Sequence, residues 1–494
     1  MRTAIQGGWV IAWQNNEHCL LDGGVVVYNG NVIEFVGFPD DPDCPKSDRT
    51  INASGKLVSP GFVNLHCIAN FDLQILNIDH PRAAGYNRPA WVIEPDAKTI
   101  MSDDDFRISA DFSVAGLLKC GNTSFGAVTT GMTKFWDDAD AEPYALADAS
   151  ERFGARAWLS HLYQEACDYT DDNGTPQRIW DRSRAQIGLD KALKFIQYAK
   201  ESGSDRLNGF LFPYQTGRCS DELLQETMHQ SRALGNVHVR SHFSQRLEEF
   251  RQHKEKTDNS MVEWLQEIGF LGEQVSLVHA KYIAGHSATG DEPRNDLQIL
   301  ADTNTTVCHT PIVYARSGDF LESFSRYARA GVNMALGCDT FPPDLLEEIR
   351  TGSLINKIVE RDRMAGLIKE FFYAATVGGA NALGRKDLGR LAPGCKADIS
   401  IFDISAFDAG PIDDPMRTLI HFANGQHCDT VIVDGHTVVE AGSVKGVDEE
   451  QLRQDAQRVW TKYKAGIVSW DYAKRPSDEI WPPLLPIKKS TSTS

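Results

Sequence analysis

Five side chains able to bind a metal or carry a proton stand at the ends of short apolar runs. His66 closes FVNLH, His242 closes VHVRSH, His279 closes VSLVH, His309 follows TTVC and Asp339 follows NMALGC. A single histidine in such a place is easily satisfied as a structural residue, because one imidazole needs few partners. An aspartate there can simply cap the next helix. Taken together, three histidines and an aspartate offer the nitrogen and oxygen donors that suit a borderline divalent cation such as zinc, with a position left for water. Arg240, in HVRSH, shares a strand face with His238 and His242. It either binds a substrate carboxylate or pairs with a nearby acid for structural reasons, since a buried guanidinium is costly alone.

These residues need strands that end at a common level. From 59 to 385 the chain alternates short apolar runs (GNTSFGAV, ARAWLSHL, NGFLFP, NVHVRSHF, VSLVHA, TTVCHT, VNMALGCD) with longer amphipathic stretches such as SDELLQETMHQSRALG and MVEWLQEIGFLG. Repeated strand and helix over that length predicts parallel strands, with an α/β barrel foremost, and such barrels carry their chemistry at the carboxyl ends of the strands. Residues 1–58 and 386–445 are instead rich in short β signals, with Asn29-Gly30-Asn31 and Asp434-Gly435 at hairpin turns. The two blocks are expected to pair into one small β unit. Residues 446–494 are expected to form a late helix, DEEQLRQDAQRVWTKYKAGIV, and a polar tail.

Composition excludes several classes. Acidic residues outnumber basic ones, 68 to 50, for a net charge of −18, and no Lys/Arg cluster stands out, which disfavours nucleic acid or an anionic membrane as partner. No run approaches the roughly 20 apolar residues that span a bilayer. Ten scattered cysteines without a C-x-x-C pair fit reduced thiols and a cytoplasmic location. His18, His80, His253, His286, His421, His427 and His436 lie in polar contexts and are expected at the surface.

The stretches PGFVNLHC, GNTSFG, HFSQ, VSLVHA, CHTP, ALGCDTFPPDLLEEIR, ATVGGANALGR, LGRLAPGCKADISIFD and VIVDGHTVVEAG occur in an order that resembles the amidohydrolase superfamily, in the branch of cytosine and guanine deaminases, S-adenosylhomocysteine deaminases and triazine hydrolases. The resemblance covers about residues 5–470. It implies a distorted (β/α)8 TIM barrel with a small β-sandwich formed by both chain ends. It also implies one divalent metal, zinc foremost and iron, manganese or cobalt as alternatives, held by a His-x-His pair, a later His and an Asp. Those positions fall on His66, His242 and Asp339, with His279 as a further ligand or a substrate-polarising group and His309 on the substrate side.

Two positions depart from the pattern. Ile68 stands where the second histidine of the pair is expected, on the same strand face as His66. Gln245 stands where deaminating relatives carry a proton-shuttling Glu. An amide cannot gain and release a proton near neutral pH, although it can orient a substrate or a water.

The expected activity is hydrolysis of a non-peptide carbon–nitrogen or activated ring bond of a small aromatic or heterocyclic molecule. Asp339 would serve as base, with His279 polarising and Gln245 orienting the substrate. Trp91 and its neighbours in PRAAGYNRPAWVI would wall the pocket or pack their own loop. One alternative is a cyclase closing a benzoxazole-type ring in secondary metabolism. Another is a non-catalytic ligand-binding descendant. A homo-oligomer is expected from the size of relatives, the late helix being a candidate contact.

Overall fold

The computed structural model describes residues 1–80, 88–94, 97, 99–128 and 140–488. The two ends of the chain meet in one nine-stranded sheet. Strands Arg2–Gln14, Glu17–Asn29 and Val32–Gly37 form an antiparallel meander. Strand Ile399–Asp403 then pairs antiparallel with Lys56–Pro60, Ile401 opposite Val58. Ile5, Val10, Val26, Val58, Ile399 and Ile432 share one apolar layer, the alternation expected of strands with a single buried face. Both expected hairpin turns form, and they touch. A side chain at Gly435 (φ +79°) would lie 1.9 Å from the Gly30 carbonyl oxygen, so only glycine fits there.

The middle of the chain supplies two four-stranded parallel sheets. One holds Phe62–Ile68, Asn122–Val128, Arg156–Leu159 and Leu207–Gly209. The other holds Val239–Phe243, Val275–His279, Thr306–His309 and Met334–Leu336. Leu211 bridges Val239 along one seam, and the Asp339 N–H donates to the His66 carbonyl at 2.9 Å along the other. Every residue of Phe62–Ile68 and of Val275–His279 is buried, as parallel strands covered on both faces require. The run NGFLFP divides: Leu207–Gly209 joins the first sheet, and Phe212–Pro213 pairs with Leu162–Tyr163 in a separate two-stranded ladder.

The helices start where side chains can satisfy their free N–H groups. Ser220 accepts from the Leu223 N–H to open Asp221–Ala233, and Ser260 with Glu263 forms a capping box at Met261–Glu267. The late helix is Glu449–Gly466, capped by Asp448. Its Ala456, Val459 and Tyr463 pack with Met101 and Phe106 beside helix Asp103–Lys119. All ten cysteines are free thiols, and no helix among the described residues is long and apolar enough to cross a membrane.

Candidate metal centre

The ends of three strands bring His66, His242 and His279 together. One ring nitrogen from each lies within 4.8 Å of the other two. Asp339 stands against two of them, Oδ1 at 3.3 Å from Nε2 of His66 and Oδ2 at 3.9 Å from Nε2 of His279. Three bonds of roughly 2.1 Å in tetrahedral directions place their donors about 3.4 Å apart, so the nitrogens need draw in by no more than about 1.4 Å to close on one cation.

The rings are held from behind. Nδ1 of His242 donates to the Tyr214 carbonyl at 2.7 Å, because a carbonyl can only accept; this fixes the tautomer and leaves a lone pair on Nε2. Nδ1 of His279 bonds the Thr310 hydroxyl at 3.1 Å, while its Nε2 is buried with no hydrogen-bond partner. His66 is fully buried and neither ring nitrogen makes a hydrogen bond, although Nε2 faces Asp339 Oδ1 at 3.3 Å. Orphaned imidazole nitrogens aimed at one another are costly unless something accepts their lone pairs, and a divalent cation does so.

Electrostatics keep the donors in their ligating form. Burial holds His66 and His279 well below the ordinary histidine value and brings His242 down to about 3, the neighbouring imidazoles adding to the effect for the last two. Burial also raises the Asp339 carboxyl, opposed by His242 and Arg240. All three rings are therefore neutral at neutral pH. His279 (φ +76°), Asp339 (φ +54°) and Ser244 (φ +46°) adopt left-handed backbone, a strain of about 1–3 kcal/mol each that is typical of functional sites.

A cavity of about 1030 Å³ opens on this cluster, lined by Ile68, Tyr214, His242, Gln245, Glu249 and Asp339 among others. Ile68 occupies the place of a possible fourth imidazole and packs with Val128, Trp158, Leu162, Phe210 and Phe212. The hairpin Ala166–Thr170 with Pro176–Trp180 forms part of the outer wall. It is tied down by Asp168, which pairs with Arg178 at 2.6 Å and Arg218 at 2.7 Å. Sequence reasoning missed this hairpin and Tyr214. The turn signal DDNGT, with Gly174 at φ +81°, marks the hairpin; nothing in the sequence marks Tyr214, which acts through its backbone carbonyl.

Three expected substrate contacts lie elsewhere. Arg240 does not face the cavity. It is 1% exposed, donates to the carbonyls of Leu65, Gly126 and Ala127, and lies over the rings of Phe210 and Phe212. Carbonyls of neighbouring strands are the partners its charge finds. His309 is buried among Tyr314, Phe324 and Phe371 rather than on the cavity wall, and burial beside Lys281 brings it down to about 3. Trp91 is 43% exposed and meets Trp470 edge-on at 6.4 Å, so it packs against the C-terminal segment. Tyr86 of the same stretch lies outside the described residues. Of the histidines expected at the surface, His286 is packed inside and His18 is half-buried. His18 bonds Thr376 at 3.1 Å between Trp13 and Phe372, and His286 is 4% exposed against Tyr282.

The sequence profile of the Amidohydrolase family matches residues 57–438. The 5-methylthioadenosine/S-adenosylhomocysteine deaminase of Thermococcus onnurineus is 29% identical over 448 residues, covering 89% of this chain and 94% of that protein. The 5'-deoxyadenosine deaminase of Methanosarcina mazei is 26% identical over 471 residues, covering 94% and 99%. An adenosine deaminase from Xanthomonas campestris, crystallised with bound zinc, superposes with a TM-score of 0.76 at 17% identity, covering 94% of this chain and 98% of that one. Atrazine chlorohydrolase from Arthrobacter aurescens TC1, complexed with zinc, does so with a TM-score of 0.73 at 20% identity, covering 92% and 99%. At these identities the structural likeness speaks to the fold.

Proposed function

The chain belongs to the amidohydrolase family, and from that premise we propose that it is a metal-dependent hydrolase cleaving a non-peptide carbon–nitrogen or activated ring bond of a small aromatic or heterocyclic molecule. The observation that carries this reading is the convergence of His66, His242 and His279 within 4.8 Å, with Asp339 beside them at the floor of a cavity. We take the two parallel sheets as halves of one distorted (β/α)8 barrel over about 59–385, and the nine-stranded sheet as a β-sandwich unit drawn from 1–58 and 386–445.

His66, His242 and His279 would hold one divalent cation, zinc before iron, manganese or cobalt, since three neutral imidazoles suit it and the similar crystal structures contain zinc. Such a cation, when bound, acidifies a water so that it serves as nucleophile at neutral pH. Asp339, 3.3 Å from His66 and 3.9 Å from His279, is placed to take the proton of that water. Gln245, on the cavity wall, orients water or substrate through its amide. Tyr214 and Thr310 keep the rings of His242 and His279 aimed inward.

The direct test is elemental analysis of the purified protein together with a panel of aminopurines, substituted triazines, aryl amides and an ortho-aminophenol amide. About one metal per chain and a hydrolysed product support the reading. A dehydrated ring product from the aminophenol amide would favour cyclisation instead. Protein that takes up no zinc, manganese or cobalt and turns over nothing would leave a ligand-binding role.

A further inference from the structure

Gln245 leaves the cavity without a proton donor where relatives that deaminate have one, and the other carboxyl groups of the cavity wall differ sharply in what already engages them. Asp168 is spent on Arg178 and Arg218. Asp221 accepts from the Trp264 indole N–H at 2.9 Å, and Glu248 is exposed and accepts from Gln252 at 3.1 Å. Glu249 is different. Its Oε1 accepts the Arg246 N–H at 3.2 Å, its Oε2 is buried, and the Gln215 side chain offers the carboxyl a neutral hydrogen bond. It lies in the first turn of helix Leu247–Lys254, four residues beyond Gln245. Its neighbour Gln215 is the residue that bridges His242 across the strands.

We propose that Glu249 donates the proton to the leaving nitrogen, the task that residue 245 cannot perform here. The inference rests on the hydrolase reading above. Three cations face the group: Arg246 on its own segment, Arg218 from the short helical turn Thr216–Arg218, and Arg178 from the hairpin. Arg178 and Arg218 are already compensated by Asp168, and burial outweighs the Gln215 hydrogen bond and the Arg246 charge, so the carboxyl is raised above its ordinary value, toward the neutral form that can donate. Asp339 accepts one proton from the attacking water as its oxygen bonds to carbon. Glu249 gives its proton to nitrogen as the C–N bond breaks and the electron pair leaves with nitrogen. The proton on Asp339 then passes through water to the Glu249 carboxylate, so one water is consumed and both acids are restored. The substrate class that follows is amino-substituted or amide-bearing rings, whose nitrogen departs only when protonated.

The test compares hydrolysis of 4-nitroacetanilide, whose leaving amine needs a proton, with that of 4-nitrophenyl acetate, whose leaving phenolate does not. In Glu249→Gln the anilide kcat/KM should fall a hundredfold or more relative to the ester kcat/KM, within the range for loss of a general acid. In the wild type the anilide rate should decline at alkaline pH as the acid is lost, and this decline should vanish in E249Q. Adding Gln245→Glu to E249Q should restore the anilide rate at least tenfold. Equal losses on both probes, or a wild-type anilide profile without an alkaline decline, would overturn the role of Glu249. Zinc-loaded wild type that turns over neither these probes nor any aminopurine, triazine or aryl amide of the panel above would overturn the hydrolase reading beneath it.

Discussion

The Asp339 carboxylate reaches Nε2 of His66 with one oxygen, at 3.3 Å, and faces Nε2 of His279 with the other, at 3.9 Å. An acid that spans two of three converging imidazoles sits where a proton leaving a water in their midst would land. Replacing it with Asn keeps the shape and removes the base. Asp339→Asn should retain at least half of the wild-type metal and lose about 10²–10⁴-fold in kcat. Full turnover by D339N would remove Asp339 from the chemistry.

His242→Ala removes a donor whose partner nitrogen is anchored on Tyr214. Metal bound after dialysis should drop below a tenth of the wild-type amount. Chelation of the wild type should likewise lower Tm, because a ligand present at 100 times its Kd stabilises the folded state by about 2.7 kcal/mol. A melting curve indifferent to chelator, with metal demonstrably removed, would count against a centre coupled to the fold.

Ile68 shares a strand face with His66 and lines the cavity. Ile68→His should add a donor and tighten zinc binding about 10-fold or more, measured by competition with a chromophoric chelator. The same change should lower stability by about 1–3 kcal/mol, since an imidazole replaces an apolar side chain in the Val128, Trp158 and Phe210 cluster. Unchanged affinity would mean that position 68 is not aimed at the cation.

Acid should weaken the fold through its buried histidines. A histidine brought down to about 3 in the folded state, as His309 is, costs nothing above about pH 6.5, where both states are neutral. Below that pH the unfolded chain takes the proton and the folded chain refuses it, so stability falls until the folded value is reached. His309→Phe, in a pocket of Tyr314, Phe324 and Phe371, should shrink the stability difference between pH 7 and pH 5 by about 2 kcal/mol in urea titrations. An undiminished difference would show that His309 ionises freely.

Arg240→Met should cost about 3–5 kcal/mol, because the carbonyls of Leu65, Gly126 and Ala127 lose their shared donor in the interior. Normal stability with a raised KM would instead return the residue to substrate binding.

The sequence carried the strands and their polar ends well, because a short buried strand leaves a plain apolar run and a turn leaves Gly, Asn or Asp. His66, His242, His279 and Asp339 could be singled out on that basis. What the sequence could not carry was direction. A period of two places side chains only while the backbone stays extended, and His279 and Asp339 leave that region for positive φ. The surroundings of Arg240 and His309 are equally hidden, since they come from residues such as Ala127 and Phe371 that are remote in the chain. Glu249 escaped notice for another reason: in LEEFRQHK it looks like one more solvated helix charge.

The pairing of Lys56–Pro60 with Ile399–Asp403 has a bearing on how the molecule is made. The strand that runs directly into His66 pairs early with Arg2–Gln14 but gains its second neighbour only after more than three hundred further residues have left the ribosome, and until then its other side is an open edge on a nascent chain. Contacts so far apart in sequence slow folding and expose hydrophobic strands to self-association. Cells making this chain should therefore depend on chaperone capacity during translation, and truncations ahead of Ile399 should accumulate as aggregates.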